Sequence, residues 1–476
     1  MPFILGANSP SDSVHSVSQS IRFNAVDTAY MTRTPSSAGN RRTWTFSCWL
    51  KRGNISSTHA LFNSGADSSN NSRLQITSAN VISYVHADSA TVTDQFVTDM
   101  VLRDTAAWYH IVFTADTTNT IESERLRLYV NGQRITDLAT TNYPTKDFDT
   151  DINNTEVHNI GRLHNNTQYL DGYLAEIVLL DGTSTDCNSF GEFNSSGIWI
   201  PKSLSGLTFG TNGFHIDGSD ATGTPVKLGD DVAGSNNYTT SGMEANDQRA
   251  DTPTNNQITF NPLNNQRSGG TPKNGNLEYH GPGTRTLISL TAAIPSTGKW
   301  VVAMTANSMS TAVWNFGVNL ITNTNYGDAA GSNEDLGRPL GLHQYPYSGW
   351  FTNYFENSSS GTQISPSPSV TPTTSDEFWC AIDMATGKVF MGIYDADDSG
   401  SGIKWLAQDG GLDGNPTTGD NPTYTFSDFI NNKDVTFGFA SKNSSTTVTL
   451  LREADCTGTT PTDFTYFENV KDLIGS

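Results

Sequence analysis

The chain has 476 residues, more than one hydrophobic core usually serves, so two domains of sandwich size are expected. Hydrophobic residues make up 35% and charged residues 16%, with abundant Gly, Ser, Thr and Asn, a composition that suits short strands joined by turns and excludes a helical bundle. The formal charge of −21, from 27 Lys and Arg against 48 Asp and Glu, sets the surface against polyanions and so against nucleic acid, while a basic partner or a neutral glycan stays compatible.

No run is long and apolar enough to span a bilayer. Residues 1–20 read as an arm: the apolar group Phe3, Ile4 and Leu5 is followed by a Ser-rich spacer, with no basic region and no cleavage site that would mark a secretory signal. The expectation is a protein made in a cytoplasm, with no membrane insertion, whose arm buries its tip in a groove or adds a strand to a partner's sheet. Cys48, Cys187, Cys380 and Cys456 are far apart and form no CxxC pair, so free thiols are expected.

From Ser20 the chain reads as strands. In RRTWTFSCWLKRG, Trp44, Phe46 and Cys48 share one face and Trp49 takes the other, and the closing Lys-Arg-Gly predicts a strand leaving its sheet. Short strands follow at ALFNSG, RLQITS, VISYVHA and QFVTDMVL. WYHIVF alternates Trp108, His110 and Val112 with Tyr109, Ile111 and Phe113, giving two apolar-rich faces. LRLYVNGQRI sets Leu126, Leu128 and Val130 against Arg127 and Tyr129, then meets Asn131-Gly132, the pair that best tolerates the positive φ of a type I′ hairpin turn. HNIGRL and YLDGYLAEIVLLDG close the domain.

The Trp-x-His-Ile-Val-Phe strand followed by Leu-Tyr-Val-Asn-Gly resembles the laminin G-like branch of the concanavalin A-type jelly rolls. That resemblance places a jelly roll at residues 21–184. Residues 185–267, rich in Pro, Asn, Asp and Gly, read as a structured but irregular connector. Gly172-Tyr173-Leu174-Ala175-Glu176-Ile177, Phe190-Gly191-Glu192-Phe193, Gly197-Ile198-Trp199-Ile200-Pro201, Asn212-Gly213-Phe214-His215 and Asp251-Thr252-Pro253-Thr254-Asn255-Asn256 together resemble an arrangement in virion surface proteins of tailed phages, particularly those of aquatic bacteria. Residues 268–476 return to strands, with Thr386-Gly387-Lys388 closing a hairpin, and resemble a SPRY-like sandwich. The expected fold class is all-β: two concanavalin A-like sandwiches joined by an irregular connector.

Some concanavalin A-type relatives are glucanases, which makes paired carboxylates the first chemistry to seek. Glu122 and Glu124 are spaced to share a strand face, but Leu126 follows where a third acid belongs, so solvated edge carboxylates are the expected reading and no catalytic residue is assigned. His110 and His158 lie in strand-like runs and read as structural. No cofactor is expected, with calcium as the exception: Asp147, Asp149 and Asp151 alternate, and Asp395 and Asp397 precede Gly400 at the spacing of half a calcium loop, although Leu406 stands where the bidentate acid belongs. Glycan contact needs aromatic faces beside polar groups, and HQYPYSGWFTNYF offers Tyr345, Tyr347, Trp350 and Tyr354 in a loop-like setting; the other reading of these rings is core or subunit interface.

The phage resemblance implies a non-enzymatic virion structural protein, a tail fibre, spike or capsid appendage. It would be a homotrimer anchored to other virion proteins through Phe3, Ile4 and Leu5 and turned towards host surface polysaccharide. A tailspike-type glycoside hydrolase and a capsid decoration protein with no receptor role are the alternatives.

Overall fold

The computed structural model describes residues 15–65, 67, 69–89, 91–266, 270–281, 286–306, 313–320, 340–345, 349–354, 362–364, 372–425, 435–442, 446–470 and 473. Phe3, Ile4, Leu5 and Tyr347 lie outside them. Regular structure is almost entirely antiparallel strand, and helix is confined, among the described residues, to short turns such as Glu122–Glu124 and Cys187–Ser189. The described chain divides into two compact units between Gln257 and Ile258.

The first unit is a sandwich of two eight-stranded sheets. One runs in the order Gln133–Arg134, Leu126–Val130, Trp108–Asp116, Thr43–Arg52, Gly172–Asp181, Ser20–Phe23, Gln248–Arg249, with Phe214–Ile216 also paired to Gly172–Asp181. The other runs Leu138–Asn142, Thr91–Val101, Val81–Asp88, Asn71–Ile76, His59–Gly65, His158–Ile160, Tyr30–Arg33, Thr239–Ser241. The alternation legible in the sequence decides which side chains meet between the sheets. Phe46, Cys48, Ile111, Phe113, Leu126 and Leu128 face Phe62, Leu74, Tyr84 and Phe96, and the rings of Phe46 and Phe62 stack at 4.6 Å. Asn131 and Gly132 take φ of 48° and 80°, as a type I′ turn requires, and Val130 pairs with Gln133 across it.

The inner strand ends at Lys-Arg-Gly as expected: Lys51 and Arg52 are the last residues of Thr43–Arg52, and both are almost fully buried. The connector expectation changes. Most of the segment 185–267 is irregular, yet residues 185–257 fold onto the first sandwich, while from Ile258 the chain belongs to the second unit, where Phe260–Gln266 pairs with Thr286–Leu290. Phe214–Ile216 pairs with Gly172–Asp181, Thr239–Ser241 with Tyr30–Arg33, and Gln248–Arg249 with Ser20–Phe23. The physical reason is already in WYHIVF. A sheet apolar on both faces needs cover on both, and its outer face, carrying Trp49, Trp108, Tyr129, Tyr173 and Val178, is covered by Cys187, Phe190, Trp199 and Leu204 from this segment. Val17, within the expected arm, joins the same cluster, and its N–H donates to Thr254 Oγ1 at 3.0 Å.

Among its described residues the second unit holds a seven-stranded and a nine-stranded sheet. Trp300, Val302, Met304, Phe378, Cys380 and Ile382 pack with Phe316, Val318, Phe437 and Phe439 in one core. Glu377–Asp383 and Lys388–Tyr394 form the expected hairpin, closed by Gly387 at φ 71° with its N–H on the Asp383 carbonyl at 2.8 Å. All four cysteines are free.

Candidate binding cleft on the first sandwich

Gly172–Asp181 is the strand on which the cleft is built. Gly172, Tyr173 and Leu174 pair with Ser20–Phe23, whereas Ile177, Val178 and Leu179 pair with Phe214–Ile216. The partner changes at Ala175 and Glu176. On the opposite edge, three residue steps from Ala175 to Val178 face two from Trp49 to Ser47, so one residue is extra and the strand bulges. That residue is Glu176, held at φ 47°, a conformation uncommon outside glycine and its small polar substitutes. The insertion keeps Leu174 and Ile177 in the inter-sheet core and Ala175 and Val178 on the outer face, while Glu176 is thrown out of the alternation.

The two partner strands leave a fork at the bulge. A cavity of about 440 Å³ opens there, lined by Ser18, Gln19, Glu176, Phe209, His215 and Asp217 among others. His215 Nε2 and Glu176 Oε2 stand 2.9 Å apart, both side chains mostly buried. The backbone N–H of His215 is fixed by Asp231 Oδ1 at 2.9 Å, and the Phe209 ring lies parallel to the imidazole with centroids 6.5 Å apart. Asp217 lies two residues beyond His215, just past the end of Phe214–Ile216, and its Oδ1 accepts from Ser219 N at 2.9 Å. The arrangement offers hydroxyls, an amide, two carboxylates and one aromatic face, the chemistry of a site for a polyhydroxylated ligand.

Serine–histidine contacts elsewhere in this unit are not nucleophile–base pairs. Trp199 Nε1 donates to His110 Nδ1 at 3.0 Å, so the neutral ring carries its proton on Nε2 and donates it to Ser47 Oγ at 2.9 Å. A ring that gives a proton to the serine cannot take one from it. Burial pushes the His110 pKa down to about 3. Ser72, His86 and Asp151 also meet, but Ser72 Oγ at 2.8 Å and Asp151 Oδ2 at 3.4 Å contact the same nitrogen, Nδ1, whereas a relay needs one on each. His158 is structural: its Nε2 accepts from Asn153 N, its Nδ1 lies 2.9 Å from the Glu156 carbonyl, and burial lowers its pKa to about 4.

The other acids singled out in the sequence are placed differently from their expected geometry. Glu122 and Glu124 lie in a 3-10 turn, not on a strand face, and Glu124 is tied to Arg134 at 2.8 Å. Asp149 is bound by Arg42 at 2.7 Å, with Asp147 4.0 Å from the same guanidinium, and Asp151 lies against Arg41 and His86. Arginines thus relieve the repulsion for which calcium was invoked. Asp395 and Asp398 are bridged by the Lys404 ammonium, 2.9 Å from each, and Asp395 Oδ1 also accepts from Asp397 N. Among the described residues no group of three His, Cys, Asp or Glu is arranged to hold a metal ion. Tyr345, Trp350 and Tyr354 lie on a β-hairpin, Leu340–Tyr345 with Gly349–Tyr354, where a loop was expected; Tyr345 pairs with Gly349 and Trp350 with Gln344.

Residues 26–187 match a family described as the Concanavalin A-like lectin/glucanases superfamily. This stretch is a concanavalin A-like jelly roll. A comparison with curated proteins returns no match. Among solved structures, a Bacteroides ovatus protein to which carbohydrate binding has been assigned is similar at 14% identity and a TM-score of 0.32, over 48% of this chain and 58% of that one. Domains LG4-5 of the mouse laminin alpha1 chain are similar at 9% identity and a TM-score of 0.29, over 93% of both chains. The SPRY domain of human HERC1 is similar at 14% identity and a TM-score of 0.26, over 40% of this chain and 96% of that domain. The matched jelly roll supplies Glu176, but Ser18, Gln19, Phe209, His215 and Asp217 lie outside it. The cleft is therefore made where the added segments meet the jelly roll. No reading of single motifs placed it, although Glu176 and His215 each sit in one of the motifs quoted above.

Proposed function

We propose that this chain is a non-enzymatic glycan-binding protein displayed on a tailed-phage particle, with the cleft at Glu176 and His215 as its saccharide site. The observation that carries the binding role is the cleft itself. Its volume fits one or two sugar rings, it joins polar groups to the face of Phe209, and it sits on a lectin-type jelly roll. Support for the virion location comes from the five motifs between Gly172 and Asn256. In this reading Phe3, Ile4 and Leu5 anchor a homotrimer to other virion proteins, and the partner is host surface polysaccharide.

The test is a panel of bacterial surface polysaccharides screened with purified protein. Binding is expected, is lost in Phe209→Ala, and is accompanied by no new reducing ends over time. If Phe209→Ala binds normally and Trp350→Ala does not, the site belongs on the hairpin of the second unit. Release of reducing ends points to the hydrolase. Immunolabelled particles showing no decoration remove the virion role.

A further inference from the structure

The charge of the cleft goes beyond glycan binding in general, and the step taken here rests on that reading. We infer that the cleft selects saccharides bearing a free primary amine, and discriminates against sialylated, uronic or phosphorylated ones.

Among the described residues the ionisable groups lining the cavity are Glu176, Asp217, His15 and His215, with no lysine or arginine. Each carboxylate has one oxygen engaged: Glu176 Oε2 with His215, and Asp217 Oδ1 with Ser219 N. The second oxygens, Glu176 Oε1 and Asp217 Oδ2, remain as acceptors. Both residues line the same cavity, Glu176 from the bulge of Gly172–Asp181 and Asp217 from just past the end of Phe214–Ile216. Ser18, Ser203 and Ser205 add hydroxyls that can accept as well as donate.

An ammonium carries three donors and no acceptor, so it fits a site with this excess of acceptors. A carboxylate or phosphate on the ligand has the opposite need. It would meet two carboxylates in a partly closed space and no guanidinium or ammonium to offset them. The acidic chain as a whole, at −21, favours the approach of the same class of ligand. The bulge makes the selection local. Glu176 reaches the cleft only because it is the extra residue of Gly172–Asp181; in regular alternation the position would fall on one sheet face or the other.

Titration calorimetry against three short oligosaccharides tests this: a glucosamine oligomer, its fully N-acetylated counterpart, and a uronic acid oligomer. The expected order is the amine form at least tenfold tighter than the acetylated form, with no binding of the uronic form. Glu176→Gln and Asp217→Asn should each weaken the amine form about tenfold and so narrow its margin over the acetylated form, with unchanged thermal midpoints as the folding control. Equal or tighter binding of the uronic oligomer overturns the inference while leaving glycan binding intact. Failure of all three oligomers, and of the wider polysaccharide panel, removes the glycan reading and this inference with it.

Discussion

Lys51 Nζ and Asp251 Oδ2 lie 2.8 Å apart with their side chains 1% and 2% exposed, and this pair fastens the added segment to the jelly roll. The ammonium also donates to Asn256 Oδ1 at 2.8 Å and to the Gln257 carbonyl at 2.6 Å, so its donors are all used. Asp251 Oδ1 in turn accepts from Trp108 Nε1 and Gln257 N, each at 3.1 Å. Residues 251–257 are held to the outer face of the sheet that carries Lys51 by a buried ion pair and the hydrogen bonds around it.

Removing one partner of such a pair strands the other as a buried charge. Lys51→Met is expected to cost about 3–5 kcal/mol in urea denaturation, and the double variant Lys51→Met, Asp251→Asn to recover part of that loss. A loss under about 1 kcal/mol for the single variant would show that the pair does not hold the segment.

Trp199 sits in a slot made by two glycines. A Cβ at Gly132 would lie 2.4 Å from Trp199 Cε3, and one at Gly191 2.5 Å from Cε2. Gly132 also sits at φ 80°, whereas Gly197, at φ 74°, has nothing within 4 Å of a built Cβ. Gly197→Ala therefore reads the backbone cost alone, about 1–2 kcal/mol. Gly132→Ala should exceed it by a further ~1–3 kcal/mol of overpacking. Equal losses in the two variants, measured by thermal unfolding, would mean that the ring moves aside freely.

The His110 tautomer can be read directly. Nitrogen chemical shifts should show Nε2 protonated and Nδ1 bare at neutral pH, with no titration until close to pH 3. Trp199→Phe removes the donor to Nδ1 and should be the variant that allows the tautomer to change. A bare Nε2 in the wild type would restore Ser47 and His110 as a nucleophile–base candidate.

Asp171 gives a pH dependence of known sign. Burial raises its carboxyl pKa to about 7, against an ordinary value near 4. Between these values the folded state holds the proton and the unfolded state does not, so stability falls as pH rises from about 4 to 7 and is level beyond. His59, His86 and His158, each lowered to about 4, act oppositely, with stability falling as pH drops from about 6.5 to 4. Asp171→Asn isolates the first effect. Its stability relative to wild type should rise across pH 4–7, by on the order of a few kcal/mol at most. A wild-type minus variant difference that stays flat across that range would mean that Asp171 ionises normally.

The strand pattern alone determined the all-β class, the face to which Trp44, Phe46, Cys48 and Trp49 each belong, and the turn at Asn131-Gly132. These depend on period-two alternation and on φ tolerance, which are properties of neighbouring residues. The two apolar faces of WYHIVF also carried the need for a cover, though not its source. Tertiary structure alone decided that residues 185–257 supply that cover, that Lys51 and Asp251 meet across 200 residues of chain, and that Arg42 and Lys404 neutralise acids spaced like metal ligands. The cleft belongs with these. Glu176 in one motif and His215 in another come together because a strand changes partner at a one-residue bulge, and a bulge is set by the register of three strands distant in sequence, which no local spacing encodes.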